Sequence, residues 1–114
     1  MPTTHLLARA VIRARGHVLL VRADGRSHTF LPGGHVEPHE GLVDCLHREM
    51  REELAVDISV GSYLGVVEHS WSRDGAAQYE LNHCFGVTVP ALNPGRRPRA
   101  REKYLTFGWV PQKR

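Results

Sequence analysis

The residue pattern predicts an α+β (α/β) fold of six or seven strands and a single helix. Two observations predict it. Short runs of β-prone residues alternate with turn signals along most of the chain. One stretch alone, residues 41–54, switches to helical spacing, with Val43, Leu46, Met50 and Leu54 recurring at intervals of three, four and four.

Residues 5–13 (HLLARAVIR) and 17–22 (HVLLVR) read as two strands joined at Arg15-Gly16, where glycine tolerates positive φ. Residues 23–29 are polar and carry the turn pair Asp24-Gly25, after which residues 30–34 (FLPGG) form a short extended piece. Beyond the helix, residues 56–60 and 63–67 read as two strands separated by Gly61-Ser62. A loop at Asp74-Gly75 leads to a longer strand over about 79–89; residues 90–101, with three prolines, form a loop; residues 106–110 make the last strand. A sheet covered on one face by one helix needs something on its other face.

The 114 residues suit one domain, 1–114, with no linker or repeat to divide them. Hydrophobic residues at 41% and charged residues at 24% are ordinary for a globular chain, which argues against wholesale disorder. No stretch approaches the ~20 apolar residues of a membrane-spanning helix, and Arg9, Arg13 and Arg15 interrupt any signal-peptide pattern. Two isolated cysteines, Cys45 and Cys84, read as free thiols in a reducing cytoplasm. The net charge of +3 tilts the protein toward anionic partners such as phosphates and nucleotides. The run Arg96, Arg97, Arg99, Arg101 and Lys103, with Lys113 and Arg114 beyond it, reads as a solvated loop, and nucleic acid is not the expected partner.

The chemistry concentrates in residues 33–56, GGHVEPHEGLVDCLHREMREELAV. Glu49, Glu52 and Glu53 sit at i, i+3 and i+4 on one side of the helix, adjoining the apolar stripe. Three like charges repel, so a cation should compensate: Arg48, four residues before Glu52, or a bound divalent metal. Carboxylate oxygens suit hard cations, and a metal-bound cluster beside a free carboxylate can orient and deprotonate a water. The Gly33-Gly34 turn can bring a backbone carbonyl close to the cluster, since no Cβ obstructs it.

This segment resembles the signature of the Nudix hydrolases, G-x5-E-x7-R-E-U-x-E-E-x-G-U, with U a bulky aliphatic residue. Gly34 opens the box (34–56), Glu40 follows, then Arg48-Glu49, Met50, Glu52-Glu53 and Val56. Ala55, where the family has glycine, is the one mismatch. At average residue frequencies such a match arises by chance on the order of once in a million. Residues 30–34 and 107–110 (FGWV) resemble the family's flanking segments, so that the likeness spans about residues 5–111.

The resemblance implies a Nudix-type mixed β-sheet sandwich with one catalytic loop–helix–loop. It implies a MutT-like hydrolase that cleaves the diphosphate of a nucleoside diphosphate linked to X, with Mg²⁺ or Mn²⁺ as cofactor. Carried over, Glu52 and Glu53 are metal ligands, Glu49 is a further ligand or the water-activating base, and Gly33 lends a carbonyl oxygen. Arg48 and Glu40 would pair to hold loop and helix in register, beside Gly34. The family often adds a later acidic residue; Glu102 is the candidate, with Glu80 and Glu68 behind it, and Glu102 reads equally as a surface charge between Arg101 and Lys103. His35 and His39 lie near the carboxylates and could touch phosphate, while Trp71, read as lying in a loop, could stack on a nucleobase or simply pack on the sheet.

Three departures from the pattern stand out. Ala55 replaces a residue that commonly ends a helix in the left-handed conformation, and Gly41 stands where Ser or Thr often caps it. The second helix that usually covers the other sheet face is missing from the 114 residues, through truncation or because another chain covers that face; a homodimer is expected. The alternative to an enzyme is a non-catalytic Nudix-fold module that binds a nucleotide.

Overall fold

A computed structural model describes residues 2–112; Lys113 and Arg114 of the C-terminal basic pair lie outside the described residues. The chain forms β1 (Thr3–Ala14), β2 (His17–Ala23), β3 (Gly33–His35), α1 (Leu42–Leu54), β4 (Ser59–Arg73), β5 (Ala76–Thr88) and β6 (Leu105–Pro111). The strands lie in the order β4-β5-β1-β2-β6, with β3 added on β1. β1 runs parallel to β5 along ten paired positions, Thr3↔Gln78 to Ile12↔Val87, while the other pairings are antiparallel. The sheet is therefore mixed, with one helix among the described residues, and the α+β class stands. No helix among the described residues is long and apolar enough to cross a membrane.

Two hairpins follow from their turn residues. Arg15-Gly16 (φ 48 and 75) and Asp74-Gly75 (φ 50 and 80) both take positive φ at both positions, as a tight turn between right-twisted strands requires. Residues 56–60 and 63–67 are not two strands. They belong largely to one 15-residue strand, β4, in which the register with β5 shifts between Val60 and Tyr63 and again between Tyr63 and Gly65. Gly61-Ser62 is thus a bulge rather than a turn, the other structure that a glycine inside a strand pattern marks. The same extension puts Trp71 in a strand rather than in a loop.

The core lies between α1 and one face of the sheet: Ala8, Ala10 and Ile12 of β1, Leu19 and Val21 of β2, Phe85 and Val87 of β5 and Phe107 of β6 meet Cys45, Leu46, Met50 and Leu54. The helix stripe differs from expectation at its start, where Val43 is exposed and Cys45 is buried. At about 100° per residue Val43 belongs with Met50 and Leu54, but it sits in the first turn, where the sheet offers it no cover. Cys45 Sγ instead lies 3.6 Å from the carbonyl oxygens of both Gly34 and His35. The basic run from Arg96 to Lys103 is an exposed loop, anchored where the Arg101 amide donates to the Glu53 carbonyl at 2.8 Å. Away from the core, Tyr63, Leu64, Val66 and Val67 of β4 stay exposed.

The helix carries an ill-suited residue at each end. Gly41 offers no side-chain cap, and Ala55 takes the left-handed conformation (φ 56, ψ 39), its N–H donating to Arg51. A Cβ in that region costs about 1 kcal/mol relative to glycine. Ala55→Gly should raise Tm by about 4 °C in thermal unfolding of the protein. An unchanged or lower Tm would mean that the cap carries no such strain.

Candidate active site

Three elements bring the box residues together. β3 lies against the middle of β1, the loop at residues 36–41 leads away from it, and α1 returns across both. Gly33 is needed here for its φ of 137 and because a Cβ would overlap the Ala8 carbonyl. A Cβ on Gly34 would fall 2.6 Å from the Glu49 carboxyl carbon, so the bare glycine leaves Glu49 its place.

Arg48 is the hub. Its Nε and Nη2 donate to the two oxygens of Glu40 at 2.7 and 2.9 Å, its Nη1 to Glu49 Oε1 at 2.9 Å and to Glu52 Oε2 at 3.3 Å, and Nη2 also to the His35 carbonyl at 3.1 Å. This pairing, with the Glu37 amide donating to Glu40 Oε1, holds the Glu40 carboxyl down to about 2.

The three helix carboxylates do not form one cluster. Counted from Leu46 at about 100° per residue, Glu53 stands about 20° and Glu49 about 60° away, whereas Glu52 stands about 120° away. Glu53 is therefore largely buried beside the core, Glu49 side-chain exposure is 15%, and Glu52 is half exposed at 53%. Burial, reinforced by the charge of Glu49, pushes the Glu53 carboxyl up to about 8. Its Oε2 is buried with no hydrogen-bond partner among the described residues.

Gly33, Gly34, His35, Arg48, Glu49 and Glu53 line one cleft of about 390 Å³. Of the remaining expected residues, Glu40 sits behind Arg48, and Glu52 lies outside, against it. Glu102 borders a neighbouring hollow, although its charge reaches Glu53. Trp71 does not line the cleft; its ring stacks on His5 (centroids 6.1 Å apart) with the Arg73 guanidinium over it, and its Nε1 donates to Glu80 Oε2 at 3.1 Å.

The cleft also contains residues that sequence reasoning passed over as site residues: Arg9, Phe30 and Tyr104, together with Glu80, which had been ranked behind Glu102. Arg9 carried a readable signal. It alternates with Ala8 and Ala10 along β1, which puts a charge in a central strand on the face opposite the core. Burial lowers its pKa, opposed by the charges of Glu80, Glu53 and Glu49. Burial pushes the Cys45 thiol up to about 11, which leaves it a neutral core residue.

The donor set fits a hard divalent cation. A buried carboxylate oxygen without a partner, a second carboxylate beside it and oxygen donors throughout are what such an ion takes. Among the described residues, no three His, Cys, Asp or Glu side chains are already gathered about one point.

A fold of one helix on a mixed sheet, with a carboxylate-lined cleft at their junction, defines the class, and comparison with known proteins agrees. A family profile described as the NUDIX domain matches residues 3–113, and the chain belongs to that family. It is 38% identical over 86 residues to the low-salt glycan biosynthesis protein Agl8 of Haloferax volcanii, covering 69% of this chain and 55% of that protein. It is 33% identical over 86 residues to the NAD-capped RNA hydrolase NudC of Stutzerimonas stutzeri, covering 70% of this chain and 30% of that protein. The matched region thus spans about half or less of these relatives. The fold is shared with a MutT NUDIX hydrolase from Burkholderia pseudomallei (TM-score 0.71, 24% identity, 96% of this chain and 88% of that one).

The raised Glu53 has a consequence for stability. An unfolded glutamate ionises near 4.5, whereas folded Glu53 does so near 8, so between those values the folded state holds an extra proton. Stability is then lost as pH rises through that window, by up to about 1.4 kcal/mol per pH unit. With chelator present, wild-type Tm should fall from pH 5 to pH 8 more steeply than that of Glu53→Gln. Parallel profiles would show that Glu53 is not perturbed.

Proposed function

We propose that this domain hydrolyses the diphosphate of a nucleoside diphosphate linked to a further group X, with Mg²⁺ or Mn²⁺ bound. The observation that carries this reading is the pair Glu49–Glu53 in the cleft, half-buried carboxylates of which one Glu53 oxygen is buried and unpartnered among the described residues. In this reading Glu53 would hold the cation with the Gly33 carbonyl, Glu52 and Glu102 would join it by turning in from outside the cleft, and Glu49 serves as the base. When bound, the cation withdraws charge from the phosphoryl oxygens and makes a coordinated water more acidic. Glu49, one oxygen of which is held by Arg48, takes the proton from the attacking water on its other oxygen. A new P–O bond forms as the bridging P–O bond breaks, and the leaving phosphate departs with the electron pair. Glu40 keeps Arg48, and through it Glu49, in place, while His35 faces the phosphates. That the Stutzerimonas stutzeri relative is named a hydrolase supports the class of reaction.

The exposed Tyr63, Leu64, Val66 and Val67 of the edge strand β4 support a homodimer formed through that strand, and the two free thiols support a reducing, cytoplasmic setting. Light scattering should give twice the 12.8 kDa chain mass, and a mass of one chain would remove the dimer.

Phosphate release, coupled to pyrophosphatase and phosphatase, should be screened over NTPs, dNTPs, ADP-ribose, nucleotide sugars and dinucleoside polyphosphates. Turnover is expected with Mg²⁺ or Mn²⁺ and not with EDTA, and Glu53→Gln should lower it by about 100-fold or more. Silence across the set, from a folded protein that still binds metal, would replace the enzyme with a nucleotide-binding module.

A further inference from the structure

We propose that Arg9 is the anion-binding residue of the cleft and receives a phosphate oxygen of the substrate on Nη2. This rests on the hydrolase reading above and adds to it a residue outside the box.

Arg9 stands in the middle of β1, between Gly33 of β3 and Cys84 of β5, and lines the cleft with Gly33, Gly34, Glu49, Glu53 and Glu80. Its guanidinium is held on three sides. Nε donates to Asn82 Oδ1 at 3.0 Å, Nη1 donates to the Leu31 carbonyl at 3.1 Å, and Cζ lies 5.4 Å from the centroid of the Phe30 ring. Among the described residues, Nη2 has no hydrogen-bond partner.

The charges around it leave Arg9 available. The ion pairs of the cleft converge on Arg48, whose three nitrogens are all engaged with carboxylates, whereas Arg9 enters none among the described residues. Glu80, the carboxylate whose charge acts on Arg9 most, is held instead by Trp71 Nε1 at 3.1 Å and Asn82 Nδ2 at 3.3 Å. A largely buried cation fixed in orientation and without a carboxylate in contact is poised for an anion, and a guanidinium edge matches phosphate geometry. Arg48, fully committed to Glu40, Glu49 and Glu52, has no such edge to offer.

The test is calorimetric binding of α,β-methylene-ADP, a non-hydrolysable diphosphate, in the presence of Mg²⁺. Wild-type protein should bind it, Arg9→Gln should bind at least about tenfold more weakly, and Arg9→Lys should fall between them because it keeps the charge and loses the anchored fork. Should Arg9→Gln fail to fold, the Arg9 side-chain ¹⁵N resonances of the wild type serve instead, and they should shift on adding the probe. Equal binding by Arg9→Gln, unmoved Arg9 resonances, or no binding of the probe by the wild type would each overturn the proposal. Failure of the hydrolase reading looks different: no substrate is turned over, yet the probe binds and its binding depends on Arg9.

Discussion

One guanidinium carries the geometry on which the cleft depends. Arg48 joins the loop at Glu40, the strand at the His35 carbonyl and the helix at Glu49 and Glu52. The helix has no side-chain N-cap to register its first turn against the preceding loop, so the two-oxygen clasp of Glu40 by Arg48 does that work from eight residues further on. The clasp also decides which charges are affordable. A carboxylate close to a core is costly when left alone, and Arg48 pairs with Glu40 and Glu49 but not with Glu53, which feels Arg9 only at a distance. The acidity of the site therefore splits, with Glu40 held near 2 and Glu53 raised to about 8.

The glycines complete that constraint. Glu49 occupies its place under Arg48 beside a position 34 that has no Cβ, and β3 can lie on β1 only because position 33 has none either. Neither glycine serves as a flexible hinge. Each marks a close approach, by a carboxylate in one case and by the backbone of β1 in the other.

How much of this was legible depends on whether the deciding interaction is local. The hairpins at Arg15-Gly16 and Asp74-Gly75 were readable because two adjacent residues set the backbone. Gly61-Ser62 was ambiguous, since the same pair serves a turn or a bulge, and only pairing with β5, from Ser59↔Thr88 to Arg73↔Ala76, chooses between them. The box, being one continuous segment, placed Gly33, Gly34, His35, Arg48, Glu49 and Glu53 in one cleft. Averaging the three helix glutamates concealed a distinction that angles about the helix contain, because Glu53 shares the core stripe and Glu52 does not. Arg9 was overlooked when read together with Arg13 and Arg15 as interruptions of a leader; its alternation with Ala8 and Ala10 was the informative feature. The places of Trp71, Glu80 and Glu102 are set by strands and loops distant in sequence, which no spacing reveals.

Two local rules are broken within three residues of one another, and they differ in kind. Glu53 puts a carboxylate where helix and sheet call for an apolar side chain, and Ala55 puts a Cβ where the helix end calls for none. The first violation has a compensating partner in prospect, since a cation in the cleft would turn an orphaned oxygen into a ligand. The second has none, because Ala55 is exposed and does not line the cleft. The first lies with the Arg48 clasp and the glycine that makes room for Glu49 in one cleft, where its folding cost has a chemical use, whereas Ala55 is a stability cost with no structural return.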